Sequence, residues 1–130
     1  MATGTVVTNA GLTEAAKLIC GDTADAFTYV ALGTGDTTPA ATDTALEAEI
    51  STNGGTRVFA DTHAYAADYK SQWVEEFTFS GSLGINECGI LKAAEAGDLL
   101  VHHVFPATIN VVSTDTLTLT VEVTLSDTTV

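Results

Sequence analysis

Thr114-Asp-Thr-Leu-Thr-Leu-Thr-Val-Glu-Val-Thr-Leu-Ser126 is the stretch that decides the fold class. Leu117, Leu119, Val121, Val123 and Leu125 alternate with Thr116, Thr118, Thr120, Glu122 and Thr124. Side chains of a strand point alternately to its two faces, so this period of two predicts one dry face and one wet face. Further strand-like runs lie upstream. Ile85–Ala93 and Leu99–Phe105 are apolar and are separated by the turn signal Glu95-Ala-Gly-Asp98. Gln72–Phe79 sets Trp73, Phe77 and Phe79 on one face, interrupted by Glu75, with Val74, Glu76 and Thr78 facing away. Ser80-Gly-Ser82 and Gly84 mark a turn after it. Thr56–Ala66 alternates large and small residues, with Phe59 and Tyr65 on one face and Val58 on the other. Phe27–Leu32 reads as a buried strand. Short strands at this spacing, rich in Thr and Val and without long helices, predict an antiparallel β-sandwich, jelly-roll-like or a small barrel.

Helical signal is confined to the N-terminal part. Asn9 is placed to serve as N-cap, Leu12, Ala15, Ala16 and Ile19 recur at helical spacing, and Gly21 stands where a helix-ending glycine belongs. Glu14 near the start and Lys17 near the end suit the helix dipole. So short a helix holds only by packing its apolar stripe on the rest of the domain. Gly33-Thr-Gly-Asp-Thr-Thr-Pro39 reads as a loop, and Asn53-Gly-Gly55 as another break. Between them, Ala41–Ile50 reads as a turn or two of helix, with Leu46 and Ile50 four apart. The organisation expected is one domain over 1–130, with an N-terminal arm at 1–8, the helix at 9–20, and strands and loops over 27–126.

Composition narrows the function classes. The 130 residues are 45% hydrophobic, enough for a core, and carry 17 Asp and Glu against 4 Lys and Arg, a formal net charge of −13. Lys17, Arg57, Lys70 and Lys92 are scattered, so neither a nucleic acid nor an anionic membrane surface is an expected partner. No apolar run approaches the roughly 20 residues of a membrane span, and no signal peptide is read at the start, so synthesis in the cytoplasm is expected. Cys20 and Cys88 stand alone and read as two buried free thiols.

No constellation of catalytic residues is read, and the chain is expected to be a structural module, without cofactor or metal, rather than an enzyme. His102 and His103 are adjacent on a strand and point to opposite faces, so they cannot readily chelate one metal. One is expected to face the core or a partner subunit and the other water, while His63 lies on a different strand. Asp36, Asp43, Glu47 and Glu49 lack the spacing of an EF-hand loop and read as a solvated face. Gly33-Thr-Gly35 resembles a phosphate loop only superficially, because the GK[ST] ending is missing. Glu87 falls in an apolar segment, where a carboxylate is costly unless paired. Arg57, the only arginine, is its expected partner, forming a structural or inter-subunit lock.

Taken in order, several segments carry a family resemblance. They are Asn9-Ala-Gly-Leu-Thr-Glu-Ala-Ala-Lys-Leu-Ile-Cys-Gly21, Tyr29-Val-Ala-Leu-Gly-Thr-Gly35, Pro39-Ala-Ala-Thr-Asp-Thr-Ala-Leu46 and Glu49-Ile50. Arg57-Val58, Ile85-Asn-Glu-Cys-Gly-Ile90, Asp115-Thr-Leu-Thr-Leu119 and Val121–Leu125 continue the series. Together they resemble small virion proteins of tailed bacteriophages and related archaeal viruses, of the head decoration (cement) or tail-fibre-like group. The resemblance implies a β-sandwich that works as a homo-oligomer, often a trimer, and it carries over no active-site residue. As a decoration protein the chain would bind the outside of a shell of major capsid protein and stabilise it. The alternatives are a tail component, such as a fibre, collar or baseplate-associated module, and a carbohydrate-binding module. A tail fibre usually has repeats or a long shaft, which are missing here, and a sugar-binding module needs exposed aromatics in its loops.

Overall fold

A computed structural model describes residues 3–126. Along them run β1 (Gly4–Val7), α1 (Asn9–Cys20), β2 (Tyr29–Gly33), β3 (Val58–Phe59), β4 (Thr62–Tyr65), β5 (Lys70–Thr78), β6 (Leu83–Leu91), β7 (Leu99–Val111) and β8 (Thr116–Thr124). All strand pairs are antiparallel, in a five-stranded sheet of order β1-β7-β6-β2-β3 and a three-stranded sheet of order β4-β5-β8. The two sheets form a β-sandwich, as the alternation in β8 predicts.

The core lies between the sheets. Trp73 and Phe77 of β5 and Leu119 of β8 meet Val30 and Leu32 of β2 and Cys88 and Ile90 of β6 in one apolar cluster. Each large side chain so buried contributes about 1.5–3 kcal/mol, against about 0.5–1.5 kcal/mol net for a ladder hydrogen bond. The faces, more than the ladders, therefore fix the register. The Trp73 indole donates to the Phe27 carbonyl at 2.7 Å, so its burial leaves no orphan donor.

Two irregularities in the β6–β7 pair shape everything outside that core. Ile90 pairs with Val101 but Leu91 pairs with Leu99, so Leu100 is an extra residue. It lies against α1, where a Cβ on Gly11 would stand 2.7 Å from the Leu100 Cα. Further along, Ile85 pairs with Ile109 and Glu87 with Val104, which sets Asn86 opposite the four residues 105–108. Pro106 falls in this excess, where it has no N–H to withhold from the ladder. Residues two apart on a regular strand share a face. Here the bulge separates them: Ile85 enters the core between the sheets, whereas Glu87 lies on the opposite face, next to core residue Cys88.

Several sequence expectations need correction. Thr8, not Asn9, caps the helix: its hydroxyl accepts the Gly11 N–H at 2.9 Å, and Asn9 is already helical. Gly21 closes the helix at φ 78°. The segment expected as an N-terminal arm contributes β1, paired to β7 over Gly4–Val7. Ala41–Ile50 is not helical. Its Glu47 and Ala48 amides donate to the Glu87 carboxylate instead of to carbonyls of a preceding turn, and Glu49 makes an isolated bridge to Gly33. Thr56–Ala66 is two strands in different sheets, broken where the Asp61 amide donates to Glu75. Both cysteines are free, but only Cys88 is buried. Cys20, in the last turn of α1, is exposed.

Candidate functional site

On the outer face of the five-stranded sheet, Glu87 is fully buried beneath the loop that follows β2. Its Oε2 accepts the N–H groups of Gly35 at 3.0 Å and Ala48 at 2.8 Å, and its Oε1 accepts that of Glu47 at 3.0 Å. The fourth partner is His102 of β7, whose Nε2 lies 2.7 Å from Oε1. Four partners satisfy a carboxylate's hydrogen-bonding capacity. The glycines of Gly33-Thr-Gly35 now have a reason. A Cβ at Gly33 would overlap the Glu87 carboxylate, and one at Gly35 would stand 2.7 Å from its Oε2 and 2.5 Å from the Glu47 Cβ. The loop cradles an anion, and the anion is a side chain of the same molecule.

His102 carries the arrangement one step further. Its Nδ1 lies 2.7 Å from Asp43 Oδ2, which also accepts the Ala40 N–H at 2.9 Å. A neutral imidazole has one N–H, so both contacts with ionised carboxylates require the doubly protonated ring. Burial pulls His102 downward, but the hydrogen bonds to Glu87 and Asp43 outweigh it and hold its pKa above the ordinary histidine value. Burial pushes Glu87 upward, and His102 with the Ala48, Glu47 and Gly35 amides brings it below the usual carboxylate value. Asp43 follows the same pattern, burial being outweighed by the Ala40 amide and His102. Buried Glu87 and His102, with the half-buried Asp43, thus form a carboxylate–imidazolium–carboxylate chain that pins residues 34–50 to the sheet.

Arg57 does not meet Glu87, contrary to the expected pair. Its Nε and Nη2 grip Glu49 at 2.9 and 2.6 Å, and Nη1 donates to the carbonyls of Ala93 and Ala96 at 2.8 and 2.7 Å. The guanidinium therefore ties the same loop to the β6–β7 turn. The cradle already meets the need of Glu87, which leaves Arg57 for a carboxylate nearer the surface. Glu14 on α1 binds Lys17 at 2.8 Å and also Lys92 at the end of β6.

The remaining candidates disperse. His103 lies on the opposite face from His102, as adjacent strand residues must, and is half-buried: its Nδ1 is 2.5 Å from the Thr5 hydroxyl and its ring stands edge-on to Phe105. His63 is exposed on β4 against Phe59. Of the acidic group, Asp43 binds His102, Glu49 binds Arg57, and Glu47 accepts the Asp36 and Thr37 amides. Among the described residues, no three His, Cys, Asp or Glu side chains are placed to hold a metal ion. Burial pushes the Cys88 thiol up to about 12, so it stays protonated.

No protein-family model and no curated protein matches the chain.

A second feature is apolar. At the end of the small sheet, Val123 is half-buried and Leu125 is exposed. A groove opens there between α1 and the small sheet, lined among others by Leu18, Ile19, Phe27, Trp73, Val123 and Leu125. Tyr65 and Tyr69 stand beside it in an adjoining depression. Ile19, Tyr65, Tyr69 and Leu125 are large apolar or aromatic side chains that nonetheless remain exposed. Leu125 was expected on the dry face of its strand. It follows Thr124, the last residue of β8, and is exposed.

Proposed function

We propose that the chain is a virion structural protein, a capsid decoration protein that binds the outside of the major capsid protein shell as a homo-oligomer, a trimer, and stabilises it. The observation that carries this reading is the contrast between the two features above. The buried charges are engaged in holding loops to a rigid sandwich, and His102 has both ring nitrogens occupied, while large apolar side chains gather unpartnered at one end. Such a molecule is built to associate. β8 adds a means: it is the edge strand of its sheet, and its free side can accept a strand from a shell subunit. An oligomer engaging several subunits at once needs only modest affinity per contact. The resemblance to small virion proteins supplies the setting.

The test is to mix the purified chain with empty shells of the major capsid protein. The reading expects co-sedimentation and a higher shell melting temperature. Shells that neither bind the chain nor gain stability from it would contradict the reading. The carbohydrate-binding alternative keeps one observation in its favour: Tyr65 and Tyr69 flank the β4–β5 turn with their rings exposed. Binding on a glycan array that Tyr69→Ala abolishes would shift the assignment to that reading.

A further inference from the structure

We infer that the groove between α1 and the Val123–Leu125 end of the small sheet is a docking seat for a partner-protein segment whose apolar residues are flanked by lysine or arginine. This deepens the reading above and rests on its claim that the chain works by association, though not on a virion setting.

The seat has a mostly apolar lining, supplied by segments that also carry exposed carboxylates. Leu18, Ile19, Phe27, Trp73, Val123 and Leu125 line it, and His63 is the one ionisable side chain among its lining residues. The segments that supply the lining bring exposed carboxylates with them. Asp22 and Asp25 lie between α1 and Phe27, Asp61 precedes β4, and Asp68 sits in the turn between Tyr65 and Tyr69. Against these four stands Lys70 in the adjoining depression, since the Lys17 ammonium is held by Glu14 at 2.8 Å. The local charge follows that of the whole chain, −13.

Charge decides the occupant. A second copy seated in this groove would set its own acidic segments against those of the first, so the proposed trimer would form through another surface, such as the β8 edge. A partner with apolar anchors between basic residues gains both from burial in the groove and from the exposed carboxylates of the adjoining segments. Exposed large apolar side chains grouped in this way mark interaction sites on soluble proteins.

The chain carries its own reporter, because its single tryptophan, Trp73, lines the groove. A random peptide display library would be selected on the immobilised full-length chain, with Leu125→Asp and Ile19→Asp chains as counter-targets. Ile19 and Leu125 are 81% and 64% exposed, so neither substitution opens the core, and circular dichroism checks the fold. The expected result is enrichment of peptides with large apolar residues bordered by Lys or Arg. In solution they would change Trp73 emission saturably and bind either variant roughly tenfold or more weakly. Three results would overturn the proposal: no enrichment, enriched peptides that are acidic or that bind the variants equally well, or self-association of the chain that Leu125→Asp abolishes, which would make a second copy the occupant. Peptide selection reads the groove alone and shell binding reads the virion setting, so failure of one is distinguishable from failure of the other.

Discussion

Glu75 and Glu87 are both buried carboxylates, and they differ in how many hydrogen bonds reach them. Glu75 accepts the Asp61 amide at 2.8 Å, and burial, the dominant influence, raises its pKa. Glu87 accepts three amides and His102, and its pKa is lowered. The same substitution should therefore act in opposite directions. Glu75→Gln keeps an acceptor for Asp61 and removes a poorly compensated charge, so it is expected to raise the melting temperature at neutral pH. Glu87→Gln strips His102 of its counter-charge and turns an amide donor toward other donors, a loss of about 3 kcal/mol in denaturant unfolding. The carboxylate–imidazolium–carboxylate chain also predicts a pH profile. Glu87 and Asp43 have depressed folded pKa values, so their contribution is present above the unfolded carboxylate range and is lost as pH falls through the folded values. His102 has a raised folded pKa, so its contribution is complete below the unfolded histidine value and is lost as pH rises through the folded one. Stability should peak between these limits, and His102→Gln should remove the alkaline fall; an unchanged alkaline limb would contradict the lock. The sequence flags Glu87 as a carboxylate in need of a partner, but Arg57 is the wrong one. A motif reading looks for an opposite charge, whereas this partner set is largely backbone amides delivered by a distant loop.

Helix α1 shows how a single element depends on its contacts. Thr8 caps it and also donates its hydroxyl to the Leu99 carbonyl, so Thr8→Ala is expected to cost about 1–2 kcal/mol, at the upper end for a cap. In an exposed helix Gly→Ala stabilises by roughly 0.5–1 kcal/mol. Gly11→Ala should instead destabilise, because the new Cβ would meet the Leu100 backbone at 2.7 and 2.9 Å. Equilibrium unfolding of the two variants checks both signs, and a stabilised Gly11→Ala chain would show that α1 is not docked on β7. Strands β5 and β8 are legible because each carries its own alternation, and α1 because it carries a 3.6 period and a terminal glycine, whereas the short β1 carries no such signal. What cannot be read locally is where a strand's neighbours are. Residues 41–50 have a helical spacing of Leu46 and Ile50, yet these two side chains enter different clusters on opposite sides of the sheet. Residues 56–66 look continuous because no Gly or Pro marks the step from one sheet to the other at Ala60 and Asp61. The β6–β7 bulge that re-aims Glu87 is equally silent, apart from Pro106.

At the scale of the whole molecule, a charge of −13 on 130 residues disfavours the compact state by self-repulsion. Added salt screens that repulsion, so the melting temperature is expected to rise with ionic strength and homo-oligomers to strengthen; indifference to salt in both would count against a charge-tuned assembly. Composition makes the acidity plain, but the groove that α1 and the end of the small sheet line together is visible only in the fold. We propose association of the molecule with a capsid shell. Its most direct test is the copy number in purified virions, by quantitative mass spectrometry against the major capsid protein. The account predicts a stoichiometry comparable to the capsid subunit. A few copies per particle would move the chain to the tail, and absence from the virion would contradict the account.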